Sequence, residues 1–114
     1  ITMIVTSTYR DRDSQTALYS QGRTMPGKIV TNASAGQSMH NWRCALDVVP
    51  LRQGKPVWGT TEKEDREIWQ RIGLIGSQAG FSWAGNWETF REYPHFQYTG
   101  GLTLADLRAG KTVA

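Results

Sequence analysis

Apolar and polar positions alternate at the start of the chain. Ile1, Met3 and Val5 occupy every second residue among β-branched neighbours, the period-two pattern of a half-buried strand over Ile1–Tyr9. Asp11 or Asp13 then offers a cap for a short helix, Ser14–Gln21, which Gly22 stops. From Gly22 to Gln37 the chain is rich in Gly, Ser, Thr, Asn and Pro and has no apolar period, which predicts a long loop of the kind that is usually functional or mobile. Cys44–Leu51 has the composition of an interior strand, and Gln53-Gly54-Lys55-Pro56 predicts a turn after it.

Thr61 with Glu64 reads as a capping box ahead of the clearest helical period in the chain, in which Ile68, Ile72, Ile75 and Ala79 share one face and Gly80 ends the run. Gly73 and Gly76 inside that helix cost about 1 kcal/mol each relative to Ala, so a close neighbour is expected against them. Trp69, beside Ile68, is placed in the core. Trp83 and Trp87 flank Gly85, and both a cleft wall and simple packing remain open for them. His95–Thr99 predicts a further strand, and Thr103–Ala109, ended by Gly110, a short terminal helix. The elements mix without regular strand–helix alternation, which indicates an α+β fold with a central, mostly antiparallel sheet flanked by helices.

At 114 residues the chain fits one domain, 1–114, with a single core. Its one cysteine, Cys44, excludes an internal disulfide and a multi-cysteine zinc cluster. No run of about 18 apolar residues is present, so no membrane insertion is expected. The chain opens on Ile1 without an initiator Met or a basic leader, which reads as the start of a fragment. The formal charge is +3, with seven Lys/Arg against three Asp in residues 1–57 and six against seven acids in residues 58–114. The basic residues are scattered singly, so nucleic acid is not an expected partner. The mild positive field suits an anionic polymer, although charge kept for solubility is the plainer and better-supported account.

The candidate chemistry gathers at the only two histidines, His40 and His95. Seven residues after His40, Asp47 lies within an apolar strand, where a carboxylate is expensive unless paired or bound to metal. Pro94 forces an extended turn and launches His95 onto the next strand. Two imidazoles and one carboxylate form a three-ligand zinc set with an open fourth position, and Glu92 remains as a base. Taken singly, each residue also has a plainer reading as a hydrogen-bonded or ion-paired side chain. Cys44 alternates with Ala45 and so points away from Asp47, as a small core residue does.

Ser38-x-His40, Ala45-x-Asp47 and Glu92-x-x-His95 resemble the motifs of the zinc D-Ala-D-Ala carboxypeptidase and dipeptidase superfamily. The stretches Tyr9-Arg10, Gln15, Leu18-Tyr19, Gln21-Gly22-Arg23-Thr24 and Val30-Thr31-Asn32-Ala33, with Phe81-Ser82-Trp83 and Pro94-His95-Phe96, are similar to its L-alanyl-D-glutamate peptidase branch, which includes many phage endolysins. The resemblance runs from about Val5 to Gln97. It implies His40, Asp47 and His95 as zinc ligands in a cleft, Glu92 as general base, Arg10 as the group facing the oxyanion, and Gln15 and Ser38 near the substrate. Family members usually have Gly where this chain has Arg43, often have Asp at position 92, and tend to carry helical residues ahead of the first strand.

The expectation is therefore a monomeric zinc peptidase that cuts the L-Ala-D-Glu amide of peptidoglycan stem peptides. Its place of action would be the bacterial wall, on the periplasmic or extracellular side, and a phage or prophage origin in a host cytoplasm fits the resemblance. D-Ala-D-Ala carboxypeptidase or dipeptidase activity at the same site, or a non-catalytic wall-binding module, are the alternatives.

Overall fold

A computed structural model of the chain describes residues 2–88 and 91–113, and Ile1, the first of the alternating apolar positions, lies outside them. The fold is α+β, with a five-stranded sheet and three α-helices among the described residues. The chain folds as two compact units. The first joins the N-terminal strand, as far as Ser7, to Leu46–Tyr98; the second contains Thr8–Ala45 and Thr99–Ala114.

In the first unit, β1 (Thr2–Ser7) pairs antiparallel with β2 (Ala45–Arg52), placing Ile4 opposite Val49 and Val5 opposite Val48. The register shifts between Val5 and Ser7, a bulge that leaves Ser7 opposite Asp47. β2 turns back into β3 (Lys55–Pro56) through Gln53 and Gly54, whose φ angles of 53° and 77° are those of a two-residue hairpin turn. Lys55 and Pro56, expected in the turn, are thus strand residues. The sheet order continues β1-β2-β5-β4, with β4 (Ser82–Trp83) antiparallel to β5 (His95–Gln97), a strand two residues shorter than its pattern suggested.

α1 (Arg12–Ser20) lies in the second unit; α2 (Lys63–Gln78) belongs to the first. The expected Thr61–Glu64 capping box does not form. Glu62 occupies the cap position without a side-chain bond, and Glu64 and Asp65 instead place negative charge in the first turn, where the helix dipole favours it. Trp69, fully buried, packs with Val48, Val49, Ile72, Trp83 and Phe96, and its indole N–H donates to the Gly59 carbonyl at 3.3 Å. The close neighbours expected of the helix glycines are present: a Cβ on Gly73 would lie 2.2 Å from the Trp83 ring, and one on Gly76 2.4 Å from the Phe96 ring. The apolar stripe does not end in closed core. Ile75 is 52% exposed and, with Ala79, Met3 and Val5, lines an open apolar pocket of about 440 Å³.

In the second unit, α1 starts two residues before its predicted position because Asp11 is the cap, its carboxylate accepting from the Ser14 amide at 2.7 Å. That bond holds the Asp11 carboxyl below its ordinary value of 3.8. The long loop exists as read, and side chains reaching back to backbone shape it. Gln21 Nε2 donates to Lys28 O, while Arg23 donates to the carbonyls of Tyr19 and Thr31 and lies 3.9 Å over the Tyr19 ring. α3 (Leu104–Arg108) is capped by Thr103 and Asp106, which satisfy each other's backbone N–H groups. No helix among the described residues is long and apolar enough to cross a membrane.

Candidate metal centre

His40 sits in a 3-10 turn, Met39–Trp42, whose first residue follows the cap Ser38. The Ser38 hydroxyl accepts from the His40 amide at 3.3 Å, so at least one role of this hydroxyl is to shape the turn. Asn41, which the sequence did not single out, is the hub. Its Oδ1 accepts from Gly36 N and Ser38 N, and its Nδ2 donates to the Arg10 carbonyl at 2.9 Å. Arg10 N in turn donates to the His40 carbonyl at 3.0 Å. The turn closes on Arg43 in the left-handed region (φ 58°), the conformation that glycine adopts most cheaply, with the Arg43 guanidinium 4.0 Å over the Tyr9 ring.

The His40 ring is nearly fully buried, at 3% exposure, and its Nδ1 lies 2.7 Å from the Thr8 carbonyl. A carbonyl only accepts, so Nδ1 carries the hydrogen and the lone pair of the neutral ring is on Nε2. Backbone carbonyls commonly orient metal-binding histidines in this way. The sequence carries no signal for it, because the acceptor is a main-chain atom 32 residues away.

The other two residues come from β2 and β5. Pro94 O accepts from Val48 N at 3.0 Å, and His95 Nδ1 stands 3.1 Å from Asp47 Oδ1. On the other side of the ring, His95 Nε2 lies 3.0 Å from Gln97 Oε1, a second partner the sequence did not flag. Burial opposes charge on His95, but the hydrogen bonds to Asp47 and Gln97 and the charges of Asp47 and Glu92 outweigh it, raising the pKa above its ordinary 6.5. Glu92 is exposed; its backbone N–H donates to Ala84 O and its carbonyl accepts from His95 N, closing the turn that contains Pro94. The two indoles part company. Trp83 is core, with its N–H on Tyr93 O, whereas half-buried Trp87 lies 5.7 Å from the His95 ring. Cys44 is a buried free thiol, and burial pushes its pKa up.

The residues of metal-ligand type are Asp47 and His95, bonded to each other in the first unit, and His40, with its Nδ1 held by Thr8, in the second. Two imidazoles and a carboxylate suit zinc, whose catalytic sites take three protein ligands of these types and keep a fourth position open. In the second unit Ser38 caps the turn, Gln15 stands on α1, and Arg10 is bonded to both the turn and α1; Glu92 stands one turn before His95.

A family model described as D-alanyl-D-alanine carboxypeptidase matches residues 31–98, and the chain belongs to this family of peptidases, whose members are generally zinc-dependent. It is 34% identical over 101 residues to the peptidoglycan L-alanyl-D-glutamate endopeptidase CwlK of Bacillus subtilis (strain 168). That alignment covers 85% of this chain and 60% of CwlK, so the chain spans less than two thirds of this curated relative. Among solved structures, the L-Ala D-Glu endopeptidase ChiX of Serratia marcescens shares the fold, with a TM-score of 0.55 and 22% identity over 94% of this chain and 71% of that one.

Proposed function

We propose that the chain is a zinc peptidase that hydrolyses the amide between L-alanine and D-glutamate in peptidoglycan stem peptides, with the bacterial wall as its place of action. The observation that carries this reading is the family match over residues 31–98, a stretch that contains two imidazoles and a carboxylate of zinc-ligand type, His40, Asp47 and His95. The 34% identity to CwlK supports the choice of bond. Zinc held by these three residues would supply a Lewis acid and a bound water with a pKa near 7 rather than 15.7.

The chain's own groups then have distinct tasks. His40 offers Nε2 because Thr8 holds Nδ1. Glu92, an exposed carboxylate close enough to His95 to influence its charge, takes a proton from the attacking water and returns it to the departing amine nitrogen as the C–N bond breaks. Arg10 brings a permanent positive charge to the carbonyl oxygen as that oxygen becomes anionic. A second reading, removal of terminal D-alanine, is favoured by the description of the matching family model.

Mass spectrometry of muropeptides after digestion separates the readings. Scission between L-Ala and D-Glu is expected; free D-Ala with that bond intact would establish the second reading, and unchanged muropeptides with retained wall binding would indicate a non-catalytic module. Glu92→Gln keeps size but cannot take the proton, so turnover should fall by at least about 100-fold with zinc content and Tm unchanged. Loss of zinc in that variant would make Glu92 a ligand.

A further inference from the structure

Gln15 is a polar side chain with no solvent exposure, placed on α1 where an apolar residue would fill the same space. Burying an amide is costly unless both its ends are bonded, and here both are. Its Nε2 donates to the Ala33 carbonyl at 2.6 Å, and its Oε1 accepts from Arg10 Nη1 at 2.9 Å. The orientation of the amide follows from its partners: a carbonyl can only accept and a guanidinium can only donate. Arg10 is therefore gripped twice, by its backbone through His40 O and Asn41 Nδ2 and by its side chain through Gln15.

We propose that Gln15 is a positioning residue that aims the Arg10 guanidinium and couples its direction to the loop segment at Ala33. The proposal rests on the function proposed above, in which Arg10 serves the carbonyl oxygen. A neutral amide suits this task because it fixes direction without cancelling charge; a carboxylate in its place would form an ion pair with the guanidinium and neutralise that charge within the protein. The Ala33 bond matters equally, since it stops the amide from turning its donor toward Arg10. Through this chain of two hydrogen bonds the long loop acts on the site without touching the reaction.

The test combines a spectrum with a mutant cycle on the zinc-loaded protein. In 15N spectra of the arginine side chains, Arg10 should show separate Nη signals, because the bond to Gln15 slows rotation of the guanidinium. In Gln15→Met the Nη rotation should speed up and the separation of these signals shrink, with zinc content unchanged. The same variant should lower kcat by roughly tenfold, a fraction of the 10²- to 10³-fold that loss of an oxyanion donor costs, with little change in KM. In an Arg10→Ala background, Gln15→Met should have no further effect. A KM increase that persists in that background would show that Gln15 contacts substrate and would overturn the proposal, as would an Nη rotation rate in Gln15→Met unchanged from the wild type. Should Gln15→Met fail to fold, Gln15→Glu keeps an oxygen toward Arg10 and should retain the separate signals; averaged signals there would also overturn it. If the wild-type protein cuts no stem peptide, the function fails, while the spectra still decide whether Gln15 holds Arg10.

Discussion

The two units of this chain are each stabilised by a different force. The first contains an apolar cluster in which Val48, Val49, Trp69, Ile72, Trp83 and Phe96 are all buried. The second is tied by side chains bonded to backbone: Asn41 to Gly36, Ser38 and Arg10, Gln15 to Ala33, and Arg23 to Tyr19 and Thr31. Burial is non-directional and tolerates small shifts, whereas a hydrogen bond fixes both distance and angle. His40 and Arg10, to which the proposed reaction gives directional tasks, stand in the hydrogen-bonded unit. Asp47 and His95 stand on strands backed by the cluster and are bonded to each other.

This contrast can be broken from either side. Trp69→Ala removes a fully buried indole and should cost about 3–5 kcal/mol, the largest effect expected, with amide exchange accelerating first in β2 and α2. A loss below about 1 kcal/mol would mean that the cluster does not dominate the first unit. Asn41→Ala leaves Gly36 N, Ser38 N and Arg10 O without their partner and should cost about 1–3 kcal/mol, with zinc bound more weakly because the turn under His40 loosens. Unchanged zinc affinity in a destabilised Asn41→Ala protein would show that the turn does not depend on its hub.

A smaller effect separates His95 from the rest by pH. Its folded pKa is raised above 6.5 through Asp47, Gln97 and Glu92 despite burial, so in the metal-free protein its stabilisation is fully present below 6.5 and is lost as pH rises through the folded value. Denaturant midpoints of metal-free protein should therefore fall over that rise, and Asp47→Asn should flatten the dependence. Zinc affinity should move in the opposite direction, increasing with pH because ligands bind deprotonated. Metal-free stability that climbs over the same range would mean that burial outweighs the Asp47 pair.

The smallest effect concerns Arg43. Replacing it by Gly removes a positive-φ penalty of about 1 kcal/mol and forfeits a ring contact with Tyr9 worth about 0.5–1 kcal/mol, so Tm should barely move. A drop of more than about 2 kcal/mol would show that the Tyr9–Arg43 pair does more than offset the strain.

The sequence was legible where a pattern repeats. The period of α2, the closeness its glycines demand, the interior strand bearing Asp47 and the long loop all follow from spacing and composition. It misled where one residue decides a boundary, as with Glu62 displacing Thr61 from the cap and Pro56 joining a strand edge. The exposed end of the apolar stripe at Ile75 was unreadable because periodicity reports a face and not what covers it. In the site, the ionisable residues were visible by type, but Thr8 O, Asn41 and Gln97 were not. Their bonds depend on main-chain atoms or on side chains brought together only by folding, and such partners leave no period.

The bare backbone of α2 at Gly73 and Gly76 has a bearing on engineering. Glycine-to-alanine exchange inside a helix is a standard route to a hardier protein, yielding about 1 kcal/mol per site in helical propensity. Here each added methyl would drive into the face of Trp83 or Phe96, and the rings would have to leave the cluster to admit it. Any programme to make this chain heat-resistant should leave these two positions alone and place its substitutions elsewhere.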